Sequence, residues 1–102
     1  MKPILVQTTT NSIKEAKKIS KILLEKKLVA CVQVSKIESF YVWKDDFCED
    51  EEFLISIKTK KENFEKIERK IKELHSYDVP EIISFKIDNL SKEYKKFICQ
   101  SC

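Results

Sequence analysis

The chain has 102 residues, 42% of them hydrophobic and 36% charged, with a formal net charge of +3. That length supplies one core and no room for a second, so residues 1–102 read as a single domain. Interspersed charges of both signs exclude a basic nucleic-acid-binding face, no apolar run is long enough to span a membrane, and the absence of glycine excludes Gly-rich phosphate loops.

Ile4, Leu5 and Val6 precede a polar stretch, so no secretory leader core is present and the expected compartment is the cytoplasm. Cys31, Cys48, Cys99 and Cys102 are accordingly expected as reduced thiols. Pro3 to Thr9 predicts a buried first strand. Ser12 and Glu15 have capping-box spacing, and Ile13, Ala16, Ile19, Leu23 and Leu24 recur at helical intervals up to Leu28.

Two strand-forming arms follow, Val29 to Trp43 and Phe47 to Thr59, joined by a turn at Lys44-Asp45-Asp46. Aspartate tolerates the left-handed backbone such a turn demands. Arms of roughly 14 residues at about 3.3 Å each would reach some 45 Å, against a radius of gyration near 13 Å for a domain of about 100 residues. The tip must overhang the core, exposing Phe40, Tyr41, Val42, Trp43 and Phe47. An aromatic ribbon in water predicts a covering partner, hence an oligomer.

Thr59 and Glu62 repeat the capping-box spacing before a second helix with the stripe Phe64, Ile67, Ile71 and Leu74. On its wet side Glu62–Lys66, Glu65–Arg69 and Glu68–Lys72 are expected to pair. Pro80 forces Val79 extended, Ile82 to Ile87 reads as a strand, and Ser91 caps a last helix carrying Tyr94, Phe97 and Ile98. The order β-α-β-β-α-β with a terminal helix is that of an α+β, ferredoxin-like sandwich with a long central hairpin.

Few residues carry chemistry. His75, the only histidine, ends the second helix and reads either as a cap on the helix dipole or, with Asp78, Glu81 and Cys31, as part of a mixed metal site of the kind copper or zinc accepts. Cys99-Gln100-Ser101-Cys102 is a C-x-x-C pair with two of the four ligands a structural zinc site wants; alternatively Cys99 packs with Phe97 and Ile98 while Cys102 stays in solvent. Cys31 itself reads most simply as a core residue. The run Glu49-Asp50-Glu51-Glu52 reads as a solvated or edge-protecting stretch. One histidine, no Gly-rich elbow and no Ser-His-Asp ordering leave the hydrolase templates unmatched, and an acyl phosphatase would need Arg69 in a phosphate cradle, although Arg69 lies opposite the apolar stripe of its helix.

Several stretches in the correct order resemble the CutA family of divalent-cation tolerance proteins. Leu28-Val29-Ala30-Cys31-Val32-Gln33 is similar to its Leu-Ala-Ala-Cys-Val-Asn signature, Tyr41-Val42-Trp43-Lys44 to its hairpin tip, and His75-Ser76-Tyr77-Asp78-Val79-Pro80-Glu81-Ile82 to its His-Pro-Tyr-x-Val-Pro-Glu-Ile segment. Thr8-Thr9 and Ile57-Lys58-Thr59 match two strand ends. The resemblance implies a homotrimer whose hairpins cross neighbouring subunits through Tyr41 and Trp43. It also implies no known reaction, and binding of Cu(II) or another divalent cation with His75 among the ligands, to which the residue reading adds Cys31. A second implied reading is a PII-like signalling or scaffold trimer with Tyr77 and Glu81 lining a cleft between subunits. The family's first-strand cysteine is missing at Gln7-Thr8, and its turn glycine is Asp45.

Overall fold

The computed structural model describes all 102 residues. Its elements are β1 (Pro3–Thr10), α1 (Ile13–Glu25), β2 (Cys31–Trp43), β3 (Asp46–Lys60), a 3-10 turn (Lys61–Asn63), α2 (Phe64–Leu74), β4 (Ile83–Lys86) and α3 (Lys92–Ser101). The strands form one antiparallel sheet in the order β2-β3-β1-β4. This is the predicted ferredoxin-like architecture with its added C-terminal helix.

Alternation along the central strands sends Ile4, Val6, Ile55 and Ile57 to one face of the sheet, where they meet Ala16, Ile19 and Leu23 of α1 and Ile67 and Ile71 of α2. The helical stripes and the strand alternation therefore close a single core. On the outer side of the sheet, α3 docks along β3 at the end remote from the hairpin tip, with Ile98 buried and the Lys58 ammonium 5.5 Å from the Tyr94 ring centre. No helix is long and apolar enough to cross a membrane.

Both serine caps form as the spacing predicts. The Ser12 hydroxyl accepts from the Glu15 amide at 3.2 Å, and Ser91 accepts from Tyr94 at 3.1 Å. The Thr59 cap does not form. Its hydroxyl donates instead to the Leu28 carbonyl at 2.7 Å, which keeps Thr59 inside β3 and leaves α2 to start after the 3-10 turn. Helix α1 stops at Glu25, short of Leu28, because Lys27 takes a left-handed φ of 56°. The Leu28 amide then reaches the Leu23 carbonyl at 3.2 Å and the Lys27 amide the Leu24 carbonyl at 3.0 Å, a Schellman ending made without glycine. Of the three expected ion pairs on α2, Glu68–Lys72 forms at 3.4 Å, while Glu62 turns to Lys60 at 3.7 Å.

The hairpin sets the molecule's shape. β3 stays paired with β1 only as far as Phe53, opposite Thr10, whereas its pairing with β2 continues through seven more pairs, from Ile37–Glu52 to Trp43–Asp46. That overhang spans about 23 Å, and the long dimension of the protein is 45 Å. The tip closes in two residues, Lys44 at φ 50° and Asp45 at φ 68°, whose twist matches the strands.

Candidate functional site

Pairing fixes which ribbon residues share a face. Ile37 lies opposite Glu52, Tyr41 opposite Cys48 and Trp43 opposite Asp46, so Tyr41, Trp43, Asp50 and Glu52 project to one side. Phe40, Val42 and Phe47 project to the other, and they are 58%, 67% and 71% exposed. One face of the ribbon is an uncovered apolar surface. The other closes a pocket.

The second wall of that pocket is the segment after α2, which is tied down at three points. The His75 Nε2 lies 2.6 Å from the Thr9 carbonyl, the Tyr77 amide donates to His75 Nδ1 at 3.0 Å, and Ser76 donates from its amide and hydroxyl to the two Glu15 carboxylate oxygens at 2.8 and 3.1 Å. Because Nδ1 accepts, Nε2 must carry the proton it gives to Thr9, which fixes the tautomer. Glu15, whose carboxylate a full capping box would turn back on α1, is spent on this loop instead.

Between these two walls lies a partly open pocket of about 400 Å³. Its aromatic side chains are Tyr41, Trp43 and Tyr77, its carboxylates Glu52, Asp78 and Glu81, and Thr9 and Val79 complete the lining. The Tyr77 hydroxyl donates to Glu52 at 2.8 Å, and the Tyr41 hydroxyl donates to Asp50. Burial, then the bond to Glu52 and its charge, pushes the Tyr77 phenol well above its usual range. The bond to Asp50, followed by desolvation and the negative charges nearby, raises Tyr41 to about 12. Both hydroxyls are held protonated as donors.

Tyr77 and Glu81, expected at a cleft, and Tyr41 and Trp43, expected at a subunit interface, thus meet at one pocket. His75 stands behind it, its ring 4.8 Å from that of Tyr77. Cys31 does not join them. It lies across from Lys58, level with Leu5, whereas His75 is anchored at Thr9, about 13 Å further along the strands. Within one protomer the predicted His75–Cys31 site is therefore not assembled, and no three His, Cys, Asp or Glu side chains converge as a metal cluster. Cys31 is half-buried rather than a core residue, and the C-x-x-C reading reverses: Cys99 is exposed while Cys102 tucks in, its sulfur 3.8 Å from the Thr59 hydroxyl.

The acidic run is the main correction. Glu52 is only 7% exposed and Asp50 holds Tyr41, so two of its four members are structural partners of the pocket tyrosines. The strand register was the missing signal, because alternation within the run places Asp50 and Glu52 on the Tyr41 face.

Fold and pocket define a ferredoxin-like domain with a long overhanging hairpin and a ligand-sized, aromatic and acidic cavity at the hairpin's root. The model of the CutA1 divalent ion tolerance protein family matches residues 4–101. The divalent-cation tolerance protein CutA of Pyrococcus horikoshii is 36% identical over 97 residues, 95% of either chain. Among solved structures, the periplasmic divalent cation tolerance protein CutA of Archaeoglobus fulgidus matches with a TM-score of 0.95 at 35% identity over 97% of both chains. CutA1 of Oryza sativa matches at 0.95 and 30% identity, over 99% of this chain and 94% of its own. The chain belongs to the CutA family of divalent-cation tolerance proteins.

Proposed function

We propose that the chain is a cytoplasmic homotrimer that binds a divalent, copper-like cation and contributes to metal tolerance. The observation that carries the assembly in this reading is the ribbon face of Phe40, Val42 and Phe47, left in water by its own protomer, and membership of a divalent-cation tolerance family supports the cation. In a trimer a neighbour would cover the apolar face, and any ligands beyond those of one chain would have to come from that neighbour. His75 is suited to one such position. Its Nε2–H is already fixed on the Thr9 carbonyl, the outer bond that orients many ligating histidines, and Nδ1 becomes free once the Tyr77 amide releases it.

Native mass spectra of the reduced protein, with and without stoichiometric copper, test this directly. The expected result is a trimer that takes up discrete ions, with uptake lost in His75→Ala and reduced in Cys31→Ser. A monomer, or a trimer whose uptake ignores both substitutions, would refute the reading.

The cavity supports a second reading, a PII-like trimer whose pocket binds a small metabolite. Its volume, about 400 Å³, falls within the range of small-molecule sites, roughly 300–1,000 Å³. In that case metal is dispensable for ligand binding.

A further inference from the structure

The pocket's lining has a definite chemical bias. Of its eight residues three are aromatic and three are carboxylates, and none is Lys, Arg or His, in a chain that carries 20 Lys and Arg residues. Glu52 is 93% buried on this wall, accepts one hydrogen bond from Tyr77 on Oε2, and takes part in none of the protein's ion pairs. A buried carboxylate without a cation is costly, so the site gains by admitting positive charge. The rings of Tyr41, Trp43 and Tyr77 favour the same sign, because a cation is drawn to the face of an aromatic ring.

A bare metal ion satisfies only half of this. Rings offer it no donor atoms, the acidic side chains do not converge into a three-ligand cluster, and about 400 Å³ is far more space than an ion fills. We propose that this pocket binds a small organic cation, its ammonium or guanidinium head on the Glu52 and Glu81 carboxylates and against the aromatic walls. The proposal deepens the metabolite reading and rests on it. The charge of the ligand is the added claim.

Trp43 is the chain's one tryptophan and lines the pocket, so its emission reports occupancy without a label. The full-length protein, in metal-free buffer, is titrated with choline, with agmatine and with the trianion citrate, against sodium chloride at matched ionic strength. The expected result is a saturable change in Trp43 emission with choline or agmatine and none with citrate or salt. Glu81→Gln, at an exposed position where folding is safe, should weaken that binding about tenfold or more, the effect of removing the negative charge from a charge-assisted hydrogen bond. Glu52→Gln, which keeps an acceptor for Tyr77, should weaken it at least as much. A saturable response to citrate alone would overturn the cation claim and leave the metabolite reading standing. No response to any of the three would overturn both, and so would a neighbouring copy's lysine found seated in the pocket. Cation binding unchanged in both variants would remove the carboxylates from the site and overturn the proposal.

Discussion

Replacing Phe47 by serine isolates the assembly claim, because this side chain sits on the ribbon face that no part of its own protomer covers. Phe47 is 71% exposed. A phenylalanine presents about 200 Å², so about 140 Å² of it stands in water, worth about 3.5 kcal/mol at roughly 25 cal/mol per Å² if a neighbour buries it fully. In a trimer the substitution is made three times, for a loss of up to about 10 kcal/mol and a fall of several orders of magnitude in assembly affinity. Sedimentation velocity over a dilution series measures it: the parent chain should stay trimeric where Phe47→Ser dissociates. Far-ultraviolet circular dichroism of the dissociated variant should retain the helix and strand signal, since the core of Ile4, Val6, Ile19, Ile55, Ile57 and Ile67 does not involve residue 47. A parent chain that is monomeric at every concentration would refute the argument, as would a variant that assembles as tightly as the parent.

Lys27→Gly should raise the melting temperature, because Lys27 holds a left-handed φ of 56° that costs a side-chain-bearing residue about 1 kcal/mol and glycine nothing. A fall in melting temperature would mean that the Schellman ending is not what limits this turn. In alkaline titration followed by tyrosinate absorbance, Tyr41→Phe should remove a step near pH 12 and Tyr77→Phe one at still higher pH. Both phenols have folded-state pKa values above the unfolded value of about 10. The folded chain therefore holds its protons longer, and the stability they add is whole below that pH and is lost as pH climbs through the folded values. Parent and variants titrating together near pH 10 would show that neither hydroxyl is held.

The sheet, both helices of the core and the terminal helix were legible because their signals are local. Apolar residues repeat at helical spacing in α1 and α2, Ser12 and Ser91 cap as serine does, and Asp45 can close a turn without glycine. What stayed hidden depends on contacts between distant segments. Thr59 has the spacing of a cap, but the Leu28 carbonyl, 31 positions earlier, outcompetes the helix for its hydroxyl. Glu52 belongs to a run of four acids, and only the pairing of β2 with β3 and the return of Tyr77 separate it from its solvated neighbours. For His75 the residue was legible and its bonding was not, since Thr9 lies 66 positions away.

The ribbon would link the two proposed properties, association and ligand binding. Tyr41, Trp43 and Glu52 line the pocket from one side of a two-stranded overhang, while Phe40, Val42 and Phe47 lie on its reverse. Beyond Phe53 no third strand braces the overhang, and a ribbon of two strands is marginally stable by itself. Within the protomer, the bond between Tyr77 and Glu52 is the direct tie from the ribbon's root to the loop that forms the opposite wall. A neighbour that covered the reverse face would therefore also hold Tyr41 and Trp43 in place, so that assembly would preorganise the pocket. Side chains on opposite faces of the same seven residue pairs would then serve binding and association together, which would give a hairpin extending beyond its own sheet a function on each face.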